Sequence, residues 1–319
     1  MKNYVIFLLK LTDNNNTICY STNSDKEETV KVKIYNQYFE SVEYDNEVTI
    51  PKGGYCWTSI ASNSRNRYIE FIDSKTGELV GMFGLDGTYD YRNIFKHTPY
   101  IKNILPFLDN KSKEDIQYIL NEIYCLNYYN NDFLYVEEGD IVIDIGFNYG
   151  LFSLQALDNN AKKIIGFEPN TKLVKWFNEN IKDDRIDLHE VAISNKNGFT
   201  SFYESEYFGK STIYSDINEK DTKESYIVRV INFNEFIKTN NIDKIDYLKI
   251  DCEGGEYDII ESIPNEYLKN NIRKIAVEFH HKIDNPRVIN LFNKLDDCGF
   301  EIKKHYEHGA ETGMIYARK

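Results

Sequence analysis

Carboxylates stand at or near the ends of four apolar stretches of this 319-residue sequence, where a strand would hand over to a loop. VIDIGFNYG (142–150) sets Asp144 in an apolar run and follows it with Gly146, Asn148 and Gly150 at two-residue intervals. KIIGFEPN (163–170) carries Glu168, 24 residues after Asp144. YLKIDCEGGEYDII (247–260) carries Lys249, Asp251 and Glu253 ahead of a Gly-Gly pair, and IAVEFHH (275–281) carries Glu278, His280 and His281. Strand alternation puts Lys249, Asp251 and Glu253 on one side and Leu248, Ile250 and Cys252 on the other; His280 shares the face of Glu278. Strands covered on both faces are normally apolar on both. Three charges on one face therefore pair with one another or line a ligand crevice, where they offer general acid–base chemistry. Plainer readings stand beside this one: a structural Lys249–Asp251 ion pair, a surface acid before Pro169, a structural strand-end histidine, and a tight turn capped by asparagine.

The elements around these residues alternate. DIVIDIG is followed by LFSLQAL, KKIIGFEP by TKLVKWFNENI, then come RIDLHEVAIS, IDYLKIDCE with YDIIESI, IRKIAVEFH with RVINLFNKLDDCG, and finally EIKKHY and MIYARK. Such alternation predicts βαβ units, a mostly parallel sheet and helices on both faces. Ligands of open parallel sheets sit beyond the carboxyl ends of the strands, where strand order reverses. A phosphate-binding P-loop needs GxxxxGK[ST], and no lysine follows here; a dinucleotide loop needs GxGxxG, but Asn148 and Leu151 break it. S-adenosylmethionine remains. Asp144 would meet its ammonium, directly or through water, and the loop amides its carboxylate. Gly146 and Gly150 would let backbone approach the ligand, and Glu168 would accept both ribose hydroxyls.

Residues 1–93 read differently. TVKVKIY (29–35) alternates Val30, Val32 and Ile34 with polar residues, and YIEFI and ELVGMF are joined by DSKTG as a hairpin. PKGGY (51–55) reads as a further turn, and the spacing predicts a small antiparallel sandwich. Its aromatics Tyr55, Trp57, Tyr68 and Phe71 suit a core, or a carbohydrate-binding or oligomer-forming surface. Residues 94–135 read as a helical connector, with Ile116, Ile119, Leu120, Ile123 and Leu126 at helical spacing after Ser112 as cap. Residues 136–319 form the alternating domain. A net charge of −13 and the lack of any basic run argue against nucleic acid as partner. Cys19, Cys56, Cys125, Cys252 and Cys298 are scattered without a CxxC pair, which suits reduced thiols in a cytoplasmic protein. MKNYVIFLLKL is too short to span a bilayer and reads as a strand.

Taken together, VIDIGFNYGLFSL, IGFEPN, LHEVAIS, GFTSF, STIY, IDYLKIDCEGGEYDIIESI and VEFH, in this order over roughly residues 136–281, resemble the FkbM family of S-adenosylmethionine-dependent methyltransferases. The resemblance implies a class I methyltransferase (Rossmann-like) fold whose seven-stranded sheet ends in a reversed strand. It puts Asp144, Gly146, Asn148 and Gly150 at the methionine end of the cofactor, Glu168 at the ribose, Ala192 near the adenine and Asp251 facing the methyl group. Phe147 and Gly255 depart from the family's usual alanines. The expected reaction is methylation of a hydroxyl on a sugar or glycan, with a small-molecule or glycan acceptor. His280 and Asp251 are the candidate bases, Glu278 orients the imidazole, and Lys249 holds Asp251 ionised. A divalent metal on Asp251, Glu253, Glu278 and His280 is the less favoured variant. The alternatives are N-methylation of an amino sugar, or an inactive carbohydrate-binding or homo-oligomer-forming protein on the same fold.

Overall fold

The computed structural model describes residues 4–12, 15–22, 27–35, 42–50, 55–61, 68–77, 79–84, 122–123, 127–205, 211–214, 222–306 and 311–319. The chain divides into two compact units, Met1–Leu126 and Asn127–Lys319.

The first unit is antiparallel β, as its alternation predicts. Its strands are β1 (Tyr4–Thr12), β2 (Asn15–Thr22), β3 (Glu28–Tyr35), β4 (Val42–Ile50), β5 (Tyr55–Ala61), β6 (Tyr68–Asp73) and β7 (Leu79–Gly84). They form two sheets, in the orders β1-β2-β5 and β4-β3-β6-β7. Val30, Val32 and Ile34 are buried while Lys31 and Lys33 are not, so the period-2 face is the core face. The DSKTG turn closes on Asp73. Its carboxylate accepts the N–H groups of Lys75 and Thr76, and Gly77, at φ 71°, donates to the Asp73 carbonyl. Side chains of Tyr55, Trp57 and Tyr68, the PKGG turn, and the helical pattern of Ser112, Ile116, Ile119, Leu120 and Leu126 lie outside the described residues.

The second unit is built on β8 (Ile141–Ile145), β9 (Lys163–Phe167), β10 (Ile186–His189), β14 (Ile245–Ile250), β15 (Ile272–Phe279), β16 (Glu301–His305) and β17 (Gly313–Arg318). Their order is β10-β9-β8-β14-β15-β17-β16, with β17 antiparallel to both neighbours. This is the seven-stranded sheet with a reversed strand. All six residues of β14 are buried, as a central strand covered on both faces requires. Helices α1 (Leu151–Asp158), α2 (Thr171–Asn180), α3 (Phe233–Thr239), α4 (Glu256–Ser262), α5 (Asn265–Asn271) and α6 (Pro286–Asp297) connect them. None among the described residues is long and apolar enough to cross a membrane.

The stretch RIDLHEVAIS is two strands rather than one. After β10 the chain turns, Val191 N–H donating to the His189 carbonyl. Ala192–Ser194 then starts β11 of a second, three-stranded sheet, β11-β13-β12, with β12 at Gly198–Ser205 and β13 at Thr222–Asn232. This sheet, with α3 and α5, is absent from the reading of the sequence.

Candidate active site

Strand order reverses between β8 and β14, and the loops after these strands lie against each other there. The Asp251 N–H donates to the Ile145 carbonyl at 3.0 Å. A Cβ on Gly146 would fall 1.6 Å from the Asp251 carbonyl oxygen, so only glycine, here at φ 82°, lets the two loops cross. Gly150, at φ 75°, is equally constrained: a Cβ would come within 2.6 Å of the rings of Phe147 and Phe177. Phe147 is 2% exposed and packs edge-on against Phe177, so it fills the interior under the loop rather than narrowing the crevice. The glycines of the motif thus serve the protein's own packing.

The loop amides are also committed. Those of Gly146 and Phe147 donate to the Phe167 carbonyl, that of Asn148 to Glu168 Oε2 at 2.8 Å, that of Tyr149 to Asn148 Oδ1, and that of Gly150 to the Phe147 carbonyl. Each of these five amides is directed to a partner within the protein. Asp144 is 0% exposed; its Oδ2 accepts from Ser153 Oγ at 2.8 Å and its Oδ1 lies 3.2 Å from Lys249 Nζ. Burial pushes its carboxyl up, against the pull of Lys249 and Ser153. Ala192 packs into the small sheet with Phe202, Val228 and Val230.

Glu168, at the end of β9, keeps the expected capacity. Oε2 accepts from Asn148 N–H and Oε1 from Asn170 N–H at 2.9 Å. Each oxygen retains a second lone pair, the pattern a vicinal diol would use. Burial raises its carboxyl to about 7, against the two amides that lower it. Asn148 takes φ 54°, tolerable for asparagine, which turns its amide toward this acid.

The acidic constellation of β14 and β15 comes together as a connected set. Lys249 is buried at its centre. Nζ donates to the Gly146 carbonyl at 2.7 Å and stands 3.2 Å from Asp144 and 3.5 Å from Asp251. Burial pulls its pKa down, yet Asp144 and Asp251 outweigh this and hold it above the ordinary lysine range. Lys249 therefore keeps a cation beside Asp251, as its face predicted. Glu253 adopts φ 54° and brings Oε2 to 3.3 Å from His280 Nε2; Glu256, wholly buried at the start of α4, meets His280 Nδ1. Burial lowers the imidazole's pKa, but Glu253 and Glu256 raise it well above the usual value. His280 thus sits between two acids that favour its protonated form over the neutral form a general base needs. Nor does Glu278 orient the imidazole; Glu256 does, and Glu278 accepts from Tyr129 instead.

Donor atoms of Asp251, Glu253 and His280 lie within 4.8 Å of one another. A metal there would have to displace the imidazolium proton, because the charged ring has no lone pair to offer. Tyr129, Ser153 and Glu256 are the partners that reasoning on the sequence did not place at the site. Tyr129 and Asp251 are 122 positions apart, and no local pattern signals such a pairing.

Residues 144–302 match the family described as Methyltransferase FkbM domain. The AMB antimetabolite synthetase AmbE of Pseudomonas aeruginosa is 22% identical over 228 residues, covering 59% of this chain and 11% of that protein. The hexuronic acid methyltransferase AglP of Haloferax volcanii is 24% identical over 162 residues, covering 50% of this chain and 63% of that protein. The chain therefore spans less than two thirds of the length of either curated relative. Among solved structures, Aeropyrum pernix fibrillarin with natively bound S-adenosyl-L-methionine has a TM-score of 0.36 at 14% identity, over 57% of this chain and 67% of that one. The precorrin-6y C5,15-methyltransferase of Geobacter metallireducens has a TM-score of 0.34 at 11% identity, over 61% and 86%. The FkbM match runs from the aspartate of the first motif through β15 to β16, so that just under half of the chain, residues 144–302, is similar to an FkbM methyltransferase domain.

Proposed function

We propose that the protein is an S-adenosylmethionine-dependent O-methyltransferase acting on a hydroxyl of a sugar or glycan. Glu168 carries the cofactor half of this reading: two oxygens, each with one backbone amide and one remaining lone pair, at the end of the strand beside β8. Glu168 would hold the ribose diol, with Asn148 fixing the loop beside it. When bound, the cofactor supplies a methyl group activated by the adjacent sulfonium. The side chain of Asp251, at 27% exposure, is more open than those of Lys249, Glu253 and His280, and so is the group placed to face an acceptor. It takes the proton that the acceptor hydroxyl gives up, a contribution of roughly 10²–10⁴-fold for a positioned base. Lys249 and the imidazolium of His280 keep the neighbouring charge balanced.

The acceptor class rests on analogy with AglP, a protein named for methylating a hexuronic acid. The test is calorimetric titration of S-adenosylmethionine at pH 8, where Glu168 is ionised, followed by methyl transfer to mono- and oligosaccharides with labelled cofactor. Micromolar binding is expected, weakened about tenfold or more in Glu168→Ala and less in Glu168→Gln, which keeps one acceptor oxygen. Folded wild-type protein that binds no cofactor defeats the proposal. Transfer to amines with Asp251→Asn nearly as active as wild type would move the methyl to nitrogen.

A further inference from the structure

Tyr129 lies in the turns before β8, and its hydroxyl is 3.0 Å from Asp251 Oδ2 and 3.1 Å from Glu278 Oε2. A phenol has one proton to donate. Two carboxylates around it are served either by sharing that proton or by one of them being protonated and donating to the phenol oxygen. In both cases a continuous oxygen chain links Asp251 to Glu278. The phenol is held for this. Tyr129 is buried, its ring packs against Phe152 at 5.4 Å between centroids, Lys249 Nζ stands 5.4 Å from the ring centre, and its carbonyl accepts from the Tyr247 hydroxyl.

We propose that Tyr129 is the positioning residue of a proton relay that carries the proton of the methyl acceptor from Asp251 to Glu278. The inference rests on the methyltransferase reading above. As the bond between acceptor oxygen and methyl carbon forms, the bond from that carbon to sulfur breaks and its electron pair stays on sulfur. The acceptor proton passes to the Asp251 carboxylate. A proton then moves from Asp251 to the Tyr129 oxygen while the Tyr129 proton moves to Glu278, so the phenol is regenerated and one proton is stored on Glu278. No other reactant is needed.

The surroundings make Glu278 the natural end of the chain. Facing it or Asp251 are Asp144 from β8, Lys249 from β14, Glu253 from the following loop, His280 beyond β15, with Glu256 of α4 against its ring, and Tyr316 from β17. Burial, then the charge of Asp251, raises the Glu278 carboxyl to about 7, with His280, Tyr129 and Lys249 pulling the other way. Its ionised form is ready to accept a proton above that pH and is filled below it.

Tyr129→Phe keeps the ring and removes only the bridging oxygen. Cofactor affinity and acceptor KM are expected to stay near wild type while kcat falls about tenfold or more, a fraction of what a positioned base contributes. Wild-type kcat should rise with pH through about 7, and that limb should vanish in both Tyr129→Phe and Glu278→Gln. Infrared spectra supply a readout that needs no acceptor. The carbonyl band of protonated Glu278, identified by its loss in Glu278→Gln, should titrate at higher pH in Tyr129→Phe, because the lost hydrogen bond favoured the ionised acid. Wild-type kcat with its limb intact in Tyr129→Phe, or an unmoved infrared midpoint, overturns the relay and leaves the methyltransferase reading standing. A wild type that binds no cofactor and methylates nothing removes that reading and the relay together; the infrared midpoint then still reports whether Tyr129 and Glu278 are coupled.

Discussion

His280 owes its charge to its neighbours, and this gives it a thermodynamic signature. Its folded pKa lies above the roughly 6.5 of an unfolded histidine, with burial opposing and Glu253 and Glu256 prevailing. A raised pKa on a base means stabilisation that is complete below about 6.5 and is lost as pH climbs through the folded value. Glu253, raised to about 8 chiefly by burial, acts in the same sense, since folding favours its protonated form between its ordinary range and that value. His280→Gln should therefore cost about 3 kcal/mol at pH 6, by leaving the buried Glu256 side chain without its cationic partner, and progressively less at pH 7.5 and 9. Urea unfolding at the three pH values measures this, and an equal loss at all three would refute the imidazolium assignment. At this scale the acids were legible in the sequence because a charge in a strand that should be apolar stands out. Their partners were not. Glu256 meets His280 across 24 positions, and only the packing of α4 against the end of β15 makes that contact.

The element that ties the site together is the crossing of the loops after β8 and β14. DxGxNxG announced a strand, a turn and a helix, and the structure has all three. The spacing said that Gly146 and Gly150 need unusual backbone; it could not say that the obstacles are the Asp251 carbonyl and two phenylalanine rings, because those lie elsewhere in the chain. Gly146→Ala tests the distinction against Gly299→Ala. Both glycines have positive φ, 82° and 79°, but the added methyl meets the Asp251 backbone in one case and nothing within 4 Å in the other. Gly299→Ala should cost roughly 1 kcal/mol of backbone strain, and Gly146→Ala should exceed it by at least about 2 kcal/mol as the loops are forced apart. Equal costs in denaturant unfolding would mean that the crossing is looser than described. The elements missing from the sequence reading have a related cause. Tyr226, Val228 and Val230 alternate as a strand should, but β13 pairs with β12 and β11 across chain separations that local pattern does not reveal.

Across the whole molecule, the sheet order brings the ends of β8, β9, β14 and β15 side by side, so that acids distant in sequence share one crevice. A mostly parallel sheet was readable from the alternation of strands and helices, because each parallel neighbour requires a crossover; the order of its strands was not. The antiparallel pattern of the first unit was equally readable, but period-2 alternation describes a sheet and says nothing of what the sheet is for. Every residue given a cofactor or proton-transfer role here belongs to Asn127–Lys319. If that unit is sufficient for the cofactor, a chain of residues 127–319 should bind S-adenosylmethionine with a Kd within about tenfold, or 1.4 kcal/mol, of the full chain. Circular dichroism establishes that the shorter chain is folded, and calorimetry then compares the two affinities. A folded 127–319 chain whose affinity falls a hundredfold would place a cofactor contact in residues 1–126 and overturn the division of labour. Retained affinity with methyl transfer abolished would instead assign acceptor capture to the β unit, the one task for which the acids of β14 and β15 offer no selectivity beyond charge.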